Sequence, residues 1–112
     1  MKITGIGVDI TKNSRIKNML KNRQFINRVF SKDEINSSRK KFDKTSFFAK
    51  RFAAKEAFSK SLGTGISCNL NFKDIVVKND KSGKPFFKIN KKVKAIIYKK
   101  HKTKKFNFFL SI

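Results

Sequence analysis

Arg51-Phe-Ala-Ala-Lys-Glu-Ala-Phe-Ser-Lys-Ser-Leu-Gly-Thr-Gly-Ile66 is a helix-forming run that closes in a Gly-Thr-Gly turn, and its charges sit where a helix is usually apolar. On a wheel of about 100° per residue, Arg51 and Lys55 fall among Phe58, Leu62 and Phe48, while Glu56 falls between Phe52 and Ala49. Apolar residues flank these charges on both sides, so the helix is expected to be central and its charges partly buried. Buried charges are costly unless each meets a partner, an ion or a ligand. Two cations beside one carboxylate suit an anionic ligand held together with a divalent metal. The helix is expected over residues 46–62, with Gly63 as its stop.

Around this helix the chain reads as α+β, a single domain over residues 1–112 with a small antiparallel sheet against the long central helix. Residues 2–10 alternate as a strand: Ile6, Val8 and Ile10 share one face, and Gly5, Gly7 and Asp9 share the other. The glycine side is a bare backbone strip that lets another backbone or a ligand approach closely, with Asp9 at its end. A crowded sheet packed on a helix, with Asp9 as a solvated strand end, accounts for it equally well. Residues 13–22 and 24–30 read as short helices carrying Arg15, Arg23 and Arg28. Ser31 with Glu34 forms a capping box opening another, and capping alone explains Glu34 locally. Downstream, 72–78 and 84–89 read as a hairpin around a turn at 79–83, 91–101 as a helix, and 106–112 as a final strand.

Composition sets outer bounds. The 112 residues carry 38% hydrophobic residues, 13 of them Phe, which suits a folded core. No apolar run is long enough to span a bilayer and the N-terminus lacks a signal-peptide pattern, so a cytoplasmic protein without membrane contact is expected. Cys68 is the sole cysteine, which excludes an intrachain disulfide and a cysteine zinc cluster. The net charge of +22 points to an acidic partner, yet 24 of the 29 cations are Lys, the profile of AT-rich coding bias. Acids are scarce, seven in all, which makes Asp9 and Glu56 in their apolar settings the informative ones.

Gly5-Ile-Gly-Val-Asp9-Ile10 and the 51–66 run together closely resemble the holo-acyl-carrier-protein synthases, the short type of 4′-phosphopantetheinyl transferase. Arg15-Ile16, Phe25 through Arg28 to Phe30, Ser31 with Glu34, Asp74-Ile75, Asn79-Asp80 and Gly83-Lys84-Pro85 follow in the family's order. The resemblance implies transfer of the phosphopantetheine arm of coenzyme A to a serine of apo-acyl carrier protein, releasing adenosine 3′,5′-bisphosphate, in support of fatty acid synthesis. It makes Asp9 and Glu56 the Mg²⁺ ligands and catalytic residues. One or two carboxylates are enough for an ion that keeps several waters. A water on the metal, or Glu56 acting through one, becomes the candidate base, with Glu34 orienting that water.

The same resemblance puts Arg51, Lys55 and Lys60 near the coenzyme A phosphates. An intrahelical pair with Glu56 is the simpler account of Lys60. Gly63, Thr64 and Gly65, and the loop of Gly83, Lys84 and Pro85, would approach the cofactor, though each also reads as a plain cap or turn. Arg15, Arg23 and Arg28 would dock the acidic carrier protein, and the family assembles as a homotrimer with cofactor between subunits. In the family a strand like 109–112 runs on into Ser/Thr-His and one more strand, whereas here the sequence stops at Ile112. A C-terminally short, inactive remnant that still binds carrier protein is therefore one alternative. His101, at the basic end of the preceding helix, is not a substitute for that histidine. A basic nucleic-acid-binding module is the other, weakened by core-spaced aromatics and the absence of any nucleic-acid motif. Metal-dependent coenzyme A binding discriminates the enzyme from that module.

Overall fold

The computed structural model describes residues 3–63 and 70–112. Three short helices come first: α1 (Asn13–Met19), α2 (Arg23–Val29) and α3 (Lys32–Ser38). The 18-residue α4 (Lys44–Ser61) follows, then a 3₁₀ turn (Phe72–Asp74), the hairpin strands β1 (Val76–Asn79) and β2 (Pro85–Lys88), and α5 (Lys91–His101). None of the described helices is long and apolar enough to cross a membrane.

Side-chain caps set most helix starts. The Asn22 carboxamide accepts from the Gln24 and Phe25 amides, and the Asn90 carboxamide from Val93. Ser31 and Glu34 complete the expected capping box, each accepting from the other's backbone amide. Asp43 accepts from the Ser46 amide at 2.9 Å, which starts α4 two residues earlier than the apolar pattern indicated. Gly63 follows its C-cap at φ +75°, a left-handed turn that suits glycine.

Helix α4 serves two cores. Its first half packs Phe47, Phe48, Ala49 and Phe52 against Ile16, Val29 and Phe30. Phe30 and Phe48 stack with centroids 4.6 Å apart. Its second half gives Phe58 and Leu62 to a cluster with Leu70, Ile75, Val93 and Ile97. The hairpin is antiparallel, pairing Val76 with Lys88 and Asn79 with Pro85. Asp80 closes its turn by accepting from the Ser82 hydroxyl and the Ser82 and Lys84 amides.

Three strand expectations need correction. Residues 72–74 form a 3₁₀ turn, because Asp74 accepts from the Asn71 amide while Lys55 draws in the Phe72 and Ile75 carbonyls; the ladder starts only at Val76. Residues 3–10 and 106–112 keep their two-residue alternation but form no ladder, for no described strand lies beside either. Segment 106–110 uses its inward side on the second core, where Phe108 meets Phe58 at 5.0 Å between centroids. Segment 3–10 lies along α4 instead. Its glycine side faces the helix, and Ile6, Val8 and Ile10 point outward at 85%, 77% and 94% exposure.

A buried ion pair joins these parts. Lys55 Nζ lies 2.8 Å from Glu34 Oε1, with both side chains essentially inaccessible. Burial pushes the Lys55 pKa down, and the Glu34 charge opposes it. Lys55 also donates to the Phe72 and Ile75 carbonyls at 2.8 and 2.7 Å, and Glu34 Oε2 accepts from the Val77 amide. Removing either partner leaves the other as an uncompensated buried charge. Glu34→Gln and Lys55→Met are each expected to lower unfolding free energy by about 3–5 kcal/mol, and the double variant by less than their sum. Additive losses in urea titration would show that the two residues act independently.

Candidate active site

Short side chains on α4 make room for the site. Ala49, Ala53 and Ala57 recur every four residues and so lie along one face of the helix. The 3–10 segment settles on the end of that face. A Cβ on Gly7 would collide with the Ala57 carbonyl, and one on Gly5 with that of Ser61. The bare strip thus meets a helix backbone, and the contact delivers Asp9 to α4.

Asp9 Oδ1 lies 2.8 Å from Lys60 Nζ, which also donates to the Val8 carbonyl at 3.3 Å. Thr11 Oγ1 donates to Asp9 Oδ2 at 3.2 Å. Glu56 stands one helical turn before Lys60, half-buried. The Asp9 hydrogen bond, supported by the Asp9 and Glu56 charges, raises the Lys60 pKa above the usual lysine value. Asp9 contacts that ammonium directly, and Glu56 acts on it through its charge from one helical turn away. Six of the seven acids cap a backbone amide or pair with lysine: Asp9, Asp33, Glu34, Asp43, Asp74 and Asp80. Glu56 alone makes neither kind of contact among the described residues.

A groove of about 280 Å³ opens beside Asp9, floored by Ala49 and Ala53 and bordered by Thr11, Lys50 and Ser111. It adjoins a second of about 350 Å³ through Ser46, Lys50 and Ile112. The second reaches Arg51, Asn79 and Pro85. Arg51 is buried, stacks 3.7 Å over the Phe47 ring and donates to Asn79 Oδ1, while its Nε has no partner among the described residues. Asn79 Nδ2 donates in turn to the Gly83 carbonyl, which ties the hairpin turn to α4.

The predicted residues divide accordingly. Asp9 and Lys60 come together with Glu56 one helical turn away, and Arg51 and Pro85 line the adjoining groove. Gly83, at φ +88°, and Lys84 are exposed in the turn, and Gly63 is exposed at the end of α4. Thr64 and Gly65 lie outside the described residues. Lys55 does not face the grooves: it is enclosed, with three acceptors around its ammonium. Glu34 is buried with it, both oxygens engaged, rather than set beside Asp9. Arg15, Arg23 and Arg28 are exposed on α1 and α2. Sequence reasoning overlooked Lys50, which borders both grooves; the four-residue alanine repeat beside it was the available signal.

A family model described as 4′-phosphopantetheinyl transferase superfamily matches residues 5–110. The chain belongs to this superfamily. The holo-[acyl-carrier-protein] synthase of Pelagibacter ubique is 61% identical over 112 residues, covering 100% of this chain and 88% of the relative. Among solved structures, the holo-[acyl-carrier-protein] synthase of Neisseria meningitidis superposes with a TM-score of 0.80 at 34% identity, covering 88% of this chain and 80% of that one. That of Bacillus anthracis, in complex with CoA (3′,5′-ADP), gives a TM-score of 0.72 at 43% identity, covering 79% and 76%. The α+β arrangement of a two-stranded sheet and a long helix is thus the phosphopantetheinyl transferase fold.

In this superfamily member the Gly7 contact is what brings Asp9 to the helix. Gly7→Ala is expected to favour detachment of residues 3–10 by about 1–3 kcal/mol, the cost of overpacking, with far-UV dichroism nearly unchanged. Limited proteolysis checks this. Cleavage no faster than in the parent would mean that the close approach is not required.

Proposed function

We propose that this protein transfers the 4′-phosphopantetheine arm of coenzyme A to a serine of apo-acyl carrier protein, in support of fatty acid synthesis. The serine oxygen forms a bond to the β-phosphorus as the bond to the adenosine 3′,5′-bisphosphate leaving group breaks, and the serine proton is lost. The observation that carries the reading is the Asp9–Lys60 pair, within the field of Glu56 one turn away, beside the paired grooves. The coenzyme A named with the Bacillus anthracis and Helicobacter pylori relatives supports the same substrate here.

Asp9 and Glu56 fit a hard divalent cation: both offer carboxylate oxygens, Asp9 is already held by Thr11, and Glu56 is uncommitted among the described residues. The reading assigns Mg²⁺ to them, where it would neutralise pyrophosphate charge. Lys60, Lys50 and Arg51 supply the positive wall for the phosphates, with the Gly83–Lys84–Pro85 turn flanking it. Asn79 positions that turn through Arg51. Because Glu34 is sealed with Lys55, Glu56 is the acid left to accept the serine proton, directly or through water.

Arg15, Arg23 and Arg28 project from the surfaces of α1 and α2 and suit an acidic carrier protein. Such rim charges act on encounter more than on chemistry. The exposed apolar residues Ile6, Val8 and Ile10 support an assembly between copies, read here as a homotrimer, and the same reading keeps the protein in the cytoplasm. Helix α4, shared by both cores, supports reading residues 1–112 as one domain.

Intact-mass spectrometry of apo-acyl carrier protein incubated with this chain, coenzyme A and Mg²⁺ tests the function. One phosphopantetheine arm should be gained, and a chelator should prevent it. Asp9→Asn and Glu56→Gln should each lower the rate at least about 10²-fold while the fold persists; near-parental rates in either would remove that residue from the metal site. Arg15→Glu should raise the KM for carrier protein about tenfold without changing coenzyme A affinity, in keeping with the 10-fold to 10³-fold reach of steering. An equal loss of coenzyme A binding would instead place Arg15 at the cofactor.

A further inference from the structure

The Asp9–Lys60 contact occupies the position that a divalent cation between Asp9 and Glu56 would need. Asp9 Oδ2 is turned to Thr11, so Oδ1 is the oxygen left for a cation, and the Lys60 ammonium already sits on it at 2.8 Å. The Val8 carbonyl, at 3.3 Å, gives that ammonium a second acceptor. Glu56 adds its charge from one turn away.

We propose that Lys60 holds the cation's place in the metal-free protein and is displaced when a divalent cation binds. The inference rests on the assignment of Asp9 as a metal ligand. An ammonium and a dication cannot share one carboxylate oxygen without strong repulsion at contact distance. Lys60 is free to leave: its side chain is 54% exposed, against 16% for Asp9, and exposed ion pairs hold weakly. A four-carbon stem lets the ammonium swing away while Asp9 stays fixed by Thr11 and by the glycine contact with α4. Lys60 thereby offsets the charges of Asp9 and Glu56 before a cation binds. Once displaced, it becomes available to an anionic ligand only when the cation is already in place.

The test is Mn²⁺ binding to the full chain without coenzyme A, followed through the electron paramagnetic resonance signal of free Mn²⁺. Lys60→Met is expected to bind Mn²⁺ on the order of tenfold tighter than the parent, because a unit charge a few ångströms from a dication is removed. Lys60→Arg should stay near the parent. Lys40→Met, which removes an exposed charge elsewhere, should do the same and so exclude a general effect of net charge. Asp9→Asn should bind several-fold more weakly. Parental or weaker binding by Lys60→Met, with Asp9→Asn impaired, would overturn the displacement while leaving Asp9 as a ligand. Undiminished binding by Asp9→Asn would overturn both.

Discussion

One buried ion pair sets the geometry on which the rest depends. Lys55 and Glu34 exclude water from each other, and their remaining hydrogen-bond partners are backbone groups: the Phe72 and Ile75 carbonyls accept from Lys55, and the Ser31 and Val77 amides donate to Glu34. A pair so enclosed gains little net stability over an apolar equivalent, yet it is intolerant of rotation. Turning α4 by even part of a residue would pull Lys55 off Glu34. Glu56 is the next residue along, so the constraint that seals Lys55 inward also turns Glu56 about 100° around the helix, onto the side of Ala49 and Lys60.

Much of this was legible in the chain. The Ser31–Glu34 capping box, the limits of α5 and the glycine strip at 5 and 7 each follow from local chemistry that a sequence displays directly. The burial of Arg51 and Lys55 was visible on a helical wheel, because apolar residues surround both. The direction of Lys55 was not visible, since a wheel places a charge among apolar neighbours without naming the acceptor that meets it. Alternation likewise locates a potential strand but not its partner. That is why 3–10 and 106–112 read as ladder strands while packing on α4 and on the second core. The groove beside Asp9 arises from the short side chains of Ala49 and Ala53, and small residues leave only a faint trace in a sequence pattern.

The lysine excess and the scarcity of acids have different structural weight. Most lysines cover the surface, and few have a defined partner. The acids are nearly all committed: to caps at Glu34 and Asp43, to the hairpin turn at Asp80, and to exposed pairs at Asp33 and Asp74. In a chain of +22 charge, an acid without a local task among the described residues is uncommon, and Glu56 stands out against that background. Counting commitments separated it from the other carboxylates better than local motif alone.

Because one helix lines both hydrophobic clusters, neither half of the molecule can come apart alone. Loosening Phe47 and Phe48 at one end frees the same rod that holds Phe58 and Leu62 at the other, so disorder spreads through α4 instead of stopping midway. Asp9 meets Lys60 in the last turn of this rod, one turn after Glu56. Amide exchange in the middle of α4 is therefore governed by opening across both clusters, whereas Asp9, held to the helix end by the glycine contact, depends on that last turn staying formed.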